Sequence, residues 1–240
     1  MSRISVILCC YNGAPWVGEA LGSLDRQTMP RDGYEVVFVN DGSTDATEQA
    51  MAPYRARSNV QYLAHERNQG LVASCNQALE ASHGEYIVRL DADDTFEPPL
   101  LERMSTLLRE GQTDLVYSDR YEWSEKRRAR RLITLGSFNL FDLTAVGTMM
   151  RRDLVLSVGG YRELFWEEYD LYLRYLLRSG RAASRVPEPL FTYRRHHGSM
   201  TSDPAAVRRG WEELQRVWPA SMLERFGRCP DSTACAEAAF

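Results

Sequence analysis

An apolar run, Tyr86-Ile-Val-Arg-Leu, ends in Asp91-Ala-Asp93-Asp94, three carboxylates within four residues. Like charges this close disfavour one another unless a cation is shared. A hard divalent ion, Mg2+ or Mn2+, takes one or two carboxylates together with substrate phosphates. An acidic turn that caps the next helix is the other reading, because turns favour Asp. One unit earlier, residues 36–39 run into Asn40-Asp41-Gly42-Ser43-Thr44-Asp45. There Asp41 can accept from the N–H edge of a nucleobase, and Gly42 lets a backbone approach closely. A helix cap by Ser43 or Asp45 is compatible with both roles. Tyr11-Asn12-Gly13 follows the first apolar run and offers an aromatic face and an amide. Further on, Glu167, Glu168 and Asp170 open a helical stretch, where acids complement the helix dipole whatever else they do.

Acids at strand ends need a sheet to hold them. Residues 4–9, 35–40, 60–63 and 86–90 are β-branched or aromatic-rich runs of strand length, with helical patterns between them. This alternation predicts βαβ units and a mainly parallel sheet, whose carboxyl ends form the crevice where α/β folds bind ligands. One helix is expected after Pro15, where Val17, Ala20, Leu21 and Leu24 share a face. A second follows Asp45, and a third covers residues 71–81 and is stopped by Gly84. The second half predicts a helix over 100–109, a strand over 115–121, a polar loop over 122–131 and a strand over 146–150. After these come a helix over 167–178, a connection bracketed by Pro187 and Pro189, a strand over 191–194 and an amphipathic helix over 207–217. The tail CPDSTACAEAAF reads as loosely ordered.

With 240 residues, a net charge of −4, 44% hydrophobic and 26% charged residues, the chain is sized for one large domain or two small ones. The acidic excess argues against a nucleic-acid binder. No apolar run reaches about 18 residues, and the start has no signal-peptide pattern, so a soluble cytoplasmic protein is expected. Five cysteines, an odd number without a C-x-x-C pair, fit a reduced compartment. Cys9 and Cys10 should point to opposite faces of a strand. Lys126 is the single lysine against 28 arginines, and residues 126–131 hold five basic side chains. That run fits a phosphate-rich acceptor site, a peripheral contact with an anionic membrane surface at the inner face of the membrane, or a solvated loop. Trp123 and Trp166 suit either a sugar-packing wall or the core.

The ordered set CCYNG, VVFVNDGSTDAT, ERNQGLVASCNQAL, EYIVRLDADD, GGYRE with WEEYDLYLR, and YRRHHGSMT resembles the family-two glycosyltransferases of GT-A fold over residues 4–201. The resemblance implies an α/β, Rossmann-like GT-A domain over residues 1–205. Residues 1–94 would bind a nucleotide sugar and 95–205 the acceptor, with a helix and tail over 206–240. It implies that Asp41 reads the base and that Cys10, Tyr11, Asn12 and Asn68 belong to the nucleotide site. Asp91, Ala92 and Asp93 match the family's DxD motif for metal and diphosphate. Glu168 stands where the family has its catalytic base, but an Asp is usual there, so Asp170 or Glu167 is an alternative. A histidine that touches metal or diphosphate corresponds to His196, with His197 beside it. Arg194 and Arg195 suit phosphate oxygens or plain surface charge. The expected activity is inverting transfer of a sugar, UDP-linked before GDP- or dTDP-linked, with Mn2+ or Mg2+. The acceptor is a glycan, a lipid-linked sugar or a small molecule, as in surface polysaccharide assembly. Leu8, Cys9 and Cys10 depart from the usual Pro and Thr or Ser before Tyr-Asn.

Two other enzyme classes share parts of the pattern. Asp91-Ala-Asp93-Asp94-Thr95 also fits the D-x-D-x-T of haloacid-dehalogenase-like phosphatases, whose nucleophilic Asp needs a lysine partner and normally ends the first strand. A sugar nucleotidyltransferase would carry a Gly- and Lys-bearing loop where CCYNGAPW stands. A catalytically silent nucleotide-sugar-binding subunit is the non-enzymatic alternative.

Overall fold

The computed structural model describes residues 4–228. The tail CPDSTACAEAAF, with Cys229 and Cys235, lies outside the described residues. The first half runs β1 (Ile4–Cys10), α1 (Val17–Asp25), β2 (Tyr34–Asn40), α2 (Thr47–Arg55), β3 (Val60–Ala64), α3 (Leu71–Ala81) and β4 (Tyr86–Arg89). The second half runs β5 (Thr95–Phe96), α4 (Leu100–Arg109), β6 (Leu115–Ser124), β7 (Ala129–Ile133), β8 (Thr148–Arg151), α5 (Arg152–Ser157), α6 (Glu167–Ser179), β9 (Ser184–Arg195), α7 (Pro204–Val217) and α8 (Ala220–Glu224). One sheet joins them in the order β3-β2-β1-β4-β8-β6-β9-β5, with β7 paired to β6. The first four strands are parallel, as the βαβ pattern requires. Beyond β4 the sheet is mixed: β8 is antiparallel to β4 and β6, while β9 lies parallel to β6.

Every residue of β1 is buried, which is why its sequence reads as continuous apolar rather than alternating. Ile7 and Cys9 enter one core with Val37, Val39, α3 and α6, whereas Val6, Leu8 and Cys10 enter the other with α1 and α4. Cys9 and Cys10 therefore do face opposite sides of the sheet, and both are free thiols. No helix among the described residues is long and apolar enough to cross a membrane.

Three local expectations are corrected. The polar loop over 122–131 is a hairpin: β6 continues to Ser124, and β7 returns opposite it, with Glu122 facing Arg131. Arginines on an edge strand block further strand pairing and make the strand look like loop. Pro187 and Pro189 lie inside β9 rather than before it, and the β6–β9 register shifts around Asp119 at the point where their missing N–H groups interrupt the ladder. Gly84 does not end α3, which stops at Ala81 with Ser82 extended. A Cβ on Gly84 would sit 2.6 Å from the backbone N of Ser5, so this glycine lets the chain pass close to β1.

Candidate active site

The carboxyl ends of β1 and β4, the start of α6 and the end of β9 enclose a cleft of about 620 Å3. Cys10, Tyr11, Gly13 and Trp16 line one side, Asp91, Ala92 and Asp93 the floor, and Glu167, Glu168 and Tyr169 the far wall. Arg89, Arg120, Tyr193, Arg195 and His196 also line it, as do the aromatic rings of Phe141, Trp166 and Trp211. Tyr11 is half exposed, as an aromatic face offered to a ligand must be. Thus Cys10, Tyr11, Asp91, Ala92, Asp93, Glu168 and His196 meet in one space, though they span most of the chain.

Asn12, Asp41 and Asn68 do not line it. Asn12, held at φ 52°, accepts from the N–H of Thr44 through Oδ1 at 2.8 Å and donates its own N–H to Ser43 at 3.0 Å, locking the tips of β1 and β2 together. Asp41 is buried, and its carboxylate accepts from the N–H groups of Gln69 (2.8 Å) and Gly70 (3.0 Å) and meets His65 Nδ1 at 2.7 Å. Instead of facing an open base pocket, it pins the 65–70 loop against β2. Gly42 adopts φ +68°, and a Cβ there would lie 2.4 Å from the carbonyl carbon of Arg67, so the loop packs directly on this turn. Asn68 is exposed at the far side of that loop. The strand-end position of Asp41 was readable in the sequence, but the return of residues 65–70 onto it was not.

Arg89 was missed entirely, although a charge inside the run Tyr86-Ile-Val-Arg-Leu is the signal that could have found it. Only 6% exposed, it donates Nε and Nη2 to Asp91 at 2.5 and 3.1 Å, and Nη1 to Glu167 at 2.8 Å. It ties the floor of the cleft to the start of α6. Glu168, next along, is also buried, and its Oε2 has no hydrogen-bond partner among the described residues. Burial, and then the charge of Glu167, push its carboxyl well above the usual carboxylate range, against the opposing pull of Arg89.

The alternatives for the neighbouring acids resolve by geometry. Asp170 lies outside the cleft lining and is fully buried: Oδ2 accepts from Arg174 Nε at 2.9 Å, and Oδ1 accepts from Trp218 Nε1 at 3.0 Å. Arg174 in turn donates to the carbonyls of Val158 and Gly160 at 2.5 and 2.7 Å. This acid is a structural clasp. Asp170→Asn should lower stability by about 3 kcal/mol, because it leaves a buried guanidinium without its charge partner. Turnover per folded molecule should be retained, and a melting curve beside an active-site titration checks both.

His196 reaches the cleft, whereas His197 is exposed outside it. The ring of His196 stacks near Trp16, centroids 4.2 Å apart, and its Nε2 lies 2.9 Å from Asp93 Oδ2. The backbone N–H of Gly198 donates to Nδ1 at 3.0 Å. A backbone N–H can only donate, so in the neutral ring the proton resides on Nε2, which then donates to Asp93. Burial, and then the charge of Asp91, raise the Asp93 carboxyl above its ordinary value. Arg194 is turned to the carbonyl of Asp93 at 2.9 Å and to Glu19, and its backbone N–H donates to Asp94 at 2.7 Å, so it braces the strand tip.

Among the described residues no three His, Cys, Asp or Glu side chains converge as a ready cation site. Asp93 nevertheless fits a divalent ion, because Mg2+ and Mn2+ use one or two carboxylates plus substrate phosphates. Asp91 does not fit as placed, since Arg89 holds both of its oxygens. His196 in this tautomer lacks a lone pair on Nε2 and orients Asp93 instead. The phosphatase alternative loses its lysine, because Lys126 sits exposed at the tip of the β6–β7 hairpin.

A mixed sheet with a parallel half, in which the acids after β4 share one cleft with a carboxylate pair at a helix start, is a fold of the GT-A type. The chain belongs to glycosyl transferase family 2, whose family model matches residues 5–170. It is 38% identical over 113 residues to the putative glycosyltransferase EpsH of Bacillus subtilis, covering 47% of this chain and 32% of that protein. The chain thus spans about a third of that relative's length. The S. aureus TarS structure in complex with UDP-GlcNAc matches with TM-score 0.75 at 22% identity, over 94% of this chain and 71% of that one. The mannosyltransferase PcManGT from Pyrobaculum calidifontis, in complex with GDP-Man and Mn2+, matches with TM-score 0.73 at 18% identity, over 99% and 69%. At these identities the two solved structures share the fold.

Proposed function

We propose that the chain transfers a sugar from a nucleoside-diphosphate donor to an acceptor hydroxyl, inverting the anomeric configuration. Glu168 is the observation that carries this reading: a buried carboxyl with one oxygen, Oε2, left without a partner among the described residues, on the same cleft as the Asp93–His196 pair. An acceptor hydroxyl is a poor nucleophile at neutral pH. Glu168 takes its proton as the oxygen attacks the anomeric carbon, while the bond to the diphosphate breaks on the opposite face. A carboxyl raised above its ordinary range suits that task, since the proton it gains is held strongly enough to help the attack. Glu167, held by Arg89, keeps the start of α6 in place beside it.

The base sits against Cys10 and Tyr11, with Asn12, Asp41 and Asn68 shaping that side through the loops they lock or flank. Asp91, already neutralised by Arg89, borders the nucleotide with Ala92. His196 holds Oδ2 of Asp93 and leaves Oδ1 for a cation shared with the donor diphosphate. A divalent ion there would neutralise the charge developing on the departing nucleoside diphosphate. Residues up to about Asp94 then serve the donor, and the later half serves the acceptor. TarS and PcManGT, solved with UDP-GlcNAc and with GDP-Man and Mn2+, support the donor class and the use of a metal.

Melting temperatures with UDP, GDP or dTDP, each with Mn2+ or a chelator, test the donor site. A nucleotide at about 100 times its Kd adds roughly 2.7 kcal/mol, a rise of about 5–10 °C for a domain of this size. The rise should require Mn2+ and vanish in Asp93→Asn. A rise that survives both the chelator and the substitution removes Asp93 from the site, and no rise with any nucleotide removes the donor.

A further inference from the structure

Within the β6–β7–β9 ribbon, Arg120 and Glu122 share a face of β6, Glu122 opposes Arg131 across β7, and Arg195 opposes Ser124 across β9. Three strands thus set three guanidiniums around one buried carboxylate. Glu122 Oε1 accepts from Arg120 Nε and Nη2 at 3.3 and 3.1 Å and from Arg195 Nη2 at 3.3 Å. Its Oε2 accepts from Arg195 Nε and Arg131 Nη2, both at 3.2 Å. An undivided guanidinium–carboxylate pair closes to about 2.7–2.9 Å, so these contacts are a carboxylate shared too many ways. Burial works against the charge on Glu122, yet Arg195 and Arg120 together hold its carboxyl below the usual range. It is ionised, and on the cleft side the guanidiniums of Arg120 and Arg195 outnumber it, so this wall stays positive.

Arg120 and Arg195 line the same cleft as Glu168. Arg120 also donates Nη1 to the carbonyl of Asp142, another residue of the cleft lining, at 3.0 Å. The other guanidinium lining the cleft, that of Arg89, is committed to Asp91 and Glu167, and the ring of His196 to Asp93. Excess positive charge inside a cleft raises the local concentration of anionic ligands. Several guanidinium forks converging from different strands suit a tetrahedral phosphate, which offers more oxygens than a single carboxylate can. Beyond the cleft mouth, the exposed hairpin tip at Lys126, Arg127 and Arg128 continues the positive charge outward.

We propose that Arg120 and Arg195, whose shared carboxylate Arg131 also holds from the exposed side, form an anion subsite for the acceptor, which therefore carries a phosphate ester near the hydroxyl that receives the sugar. This assignment rests on the glycosyl-transfer reading of the same cleft. The phosphate belongs to either a soluble phosphoglycan or a lipid headgroup.

Glycerol 1-phosphate is the probe, with glycerol as its uncharged control, followed by ligand-observed NMR at one fixed ionic strength. Wild type should bind the ester and not glycerol, and Arg195→Gln should weaken the ester about tenfold, the worth of one charge-assisted contact. Arg131→Gln, an exposed change that leaves the core intact, should weaken it by a smaller factor and serves if Arg195→Gln fails to fold. UDP and GDP affinities should stay unchanged in both variants. Equal binding of ester and glycerol, or ester binding unchanged by either substitution, overturns the subsite. Loss of nucleotide affinity together with ester affinity also overturns it, since the arginines would then belong to the donor. If wild type binds the ester through these arginines but neither binds nucleotide nor transfers sugar, the transferase reading fails while the anion site stands. Sedimentation with phosphatidylglycerol vesicles, against phosphatidylcholine ones, separates the two sources. Pelleting that Arg195→Gln abolishes assigns the phosphate to a headgroup, and ester binding without pelleting assigns it to a soluble acceptor.

Discussion

Glu168→Gln should lower sugar transfer by about 100- to 10,000-fold, the usual contribution of a positioned base, while leaving the nucleotide-dependent rise in melting temperature intact. The amide keeps the shape and volume of the carboxyl but cannot accept a proton, so a loss confined to kcat isolates proton removal from binding. If Asp170→Asn produced that pattern instead, the clasp around Arg174 would have to open in the working enzyme. The pH profile gives a second readout. Burial and the charge of Glu167 hold the Glu168 carboxyl well above its ordinary value, so the acidic limb of kcat/KM should lie above that of an unperturbed glutamate. Residual activity of Glu168→Gln should lack that limb. The sign for stability is opposite to that for activity. Because the folded state binds this proton more tightly than the unfolded chain, the stabilisation is complete below the unfolded pKa and is lost as pH rises through the raised folded one. Glu168→Gln should therefore melt higher than wild type at pH 8 and show little advantage at pH 4, a crossover that two melting series would reveal.

The parts of this site that were legible in the sequence are those fixed by local pattern. Parallel strands buried on both faces appear as apolar runs, and the acids that end them stand out: Asp91 and Asp93 follow β4 and line the cleft, at the strand end to which the apolar run assigned them. What failed was long-range or rotational. The first ten residues of α6 are all buried, so no polar stripe announces which way the helix is turned. Glu168 and Asp170 lie two residues apart, about 200° around the axis, and only packing decides that the first faces the cleft and the second faces Arg174. The β6–β7 hairpin was hidden for a related reason: an edge strand carrying arginines has the composition of a loop. Asp41 was misjudged because its partners, His65, Gln69 and Gly70, arrive from a loop more than twenty residues away. In each case the residue type was visible and its partner was not.

The same limitation conceals the largest structural effect expected here. Arg89→Met should destabilise the fold by about 3–5 kcal/mol, because it strands two carboxylates that share one buried cation. In a domain of this size each kcal/mol moves Tm by about 2–4 °C, so the loss should be near 10 °C at neutral pH. The guanidinium satisfies Asp91 with two N–H groups and Glu167 with a third. The point charge of Arg89→Lys cannot serve both acids at once and should recover only part of the loss. Without Arg89, Asp91 and Glu167 would add uncompensated negative charge beside Asp93 and Glu168, in the space where a diphosphate must enter. Nucleotide affinity and transfer should therefore fall together, unlike in Glu168→Gln. Combining Arg89→Met with Glu167→Gln removes one stranded charge and should return part of the melting temperature but little of the activity, because Asp91 and the start of α6 would still be unlinked. An Arg89→Met protein with wild-type melting and transfer would mean that the bridge between the donor floor and the base-bearing helix is dispensable, and the geometry of the cleft would have to be held by the aromatic cluster around Trp166 instead.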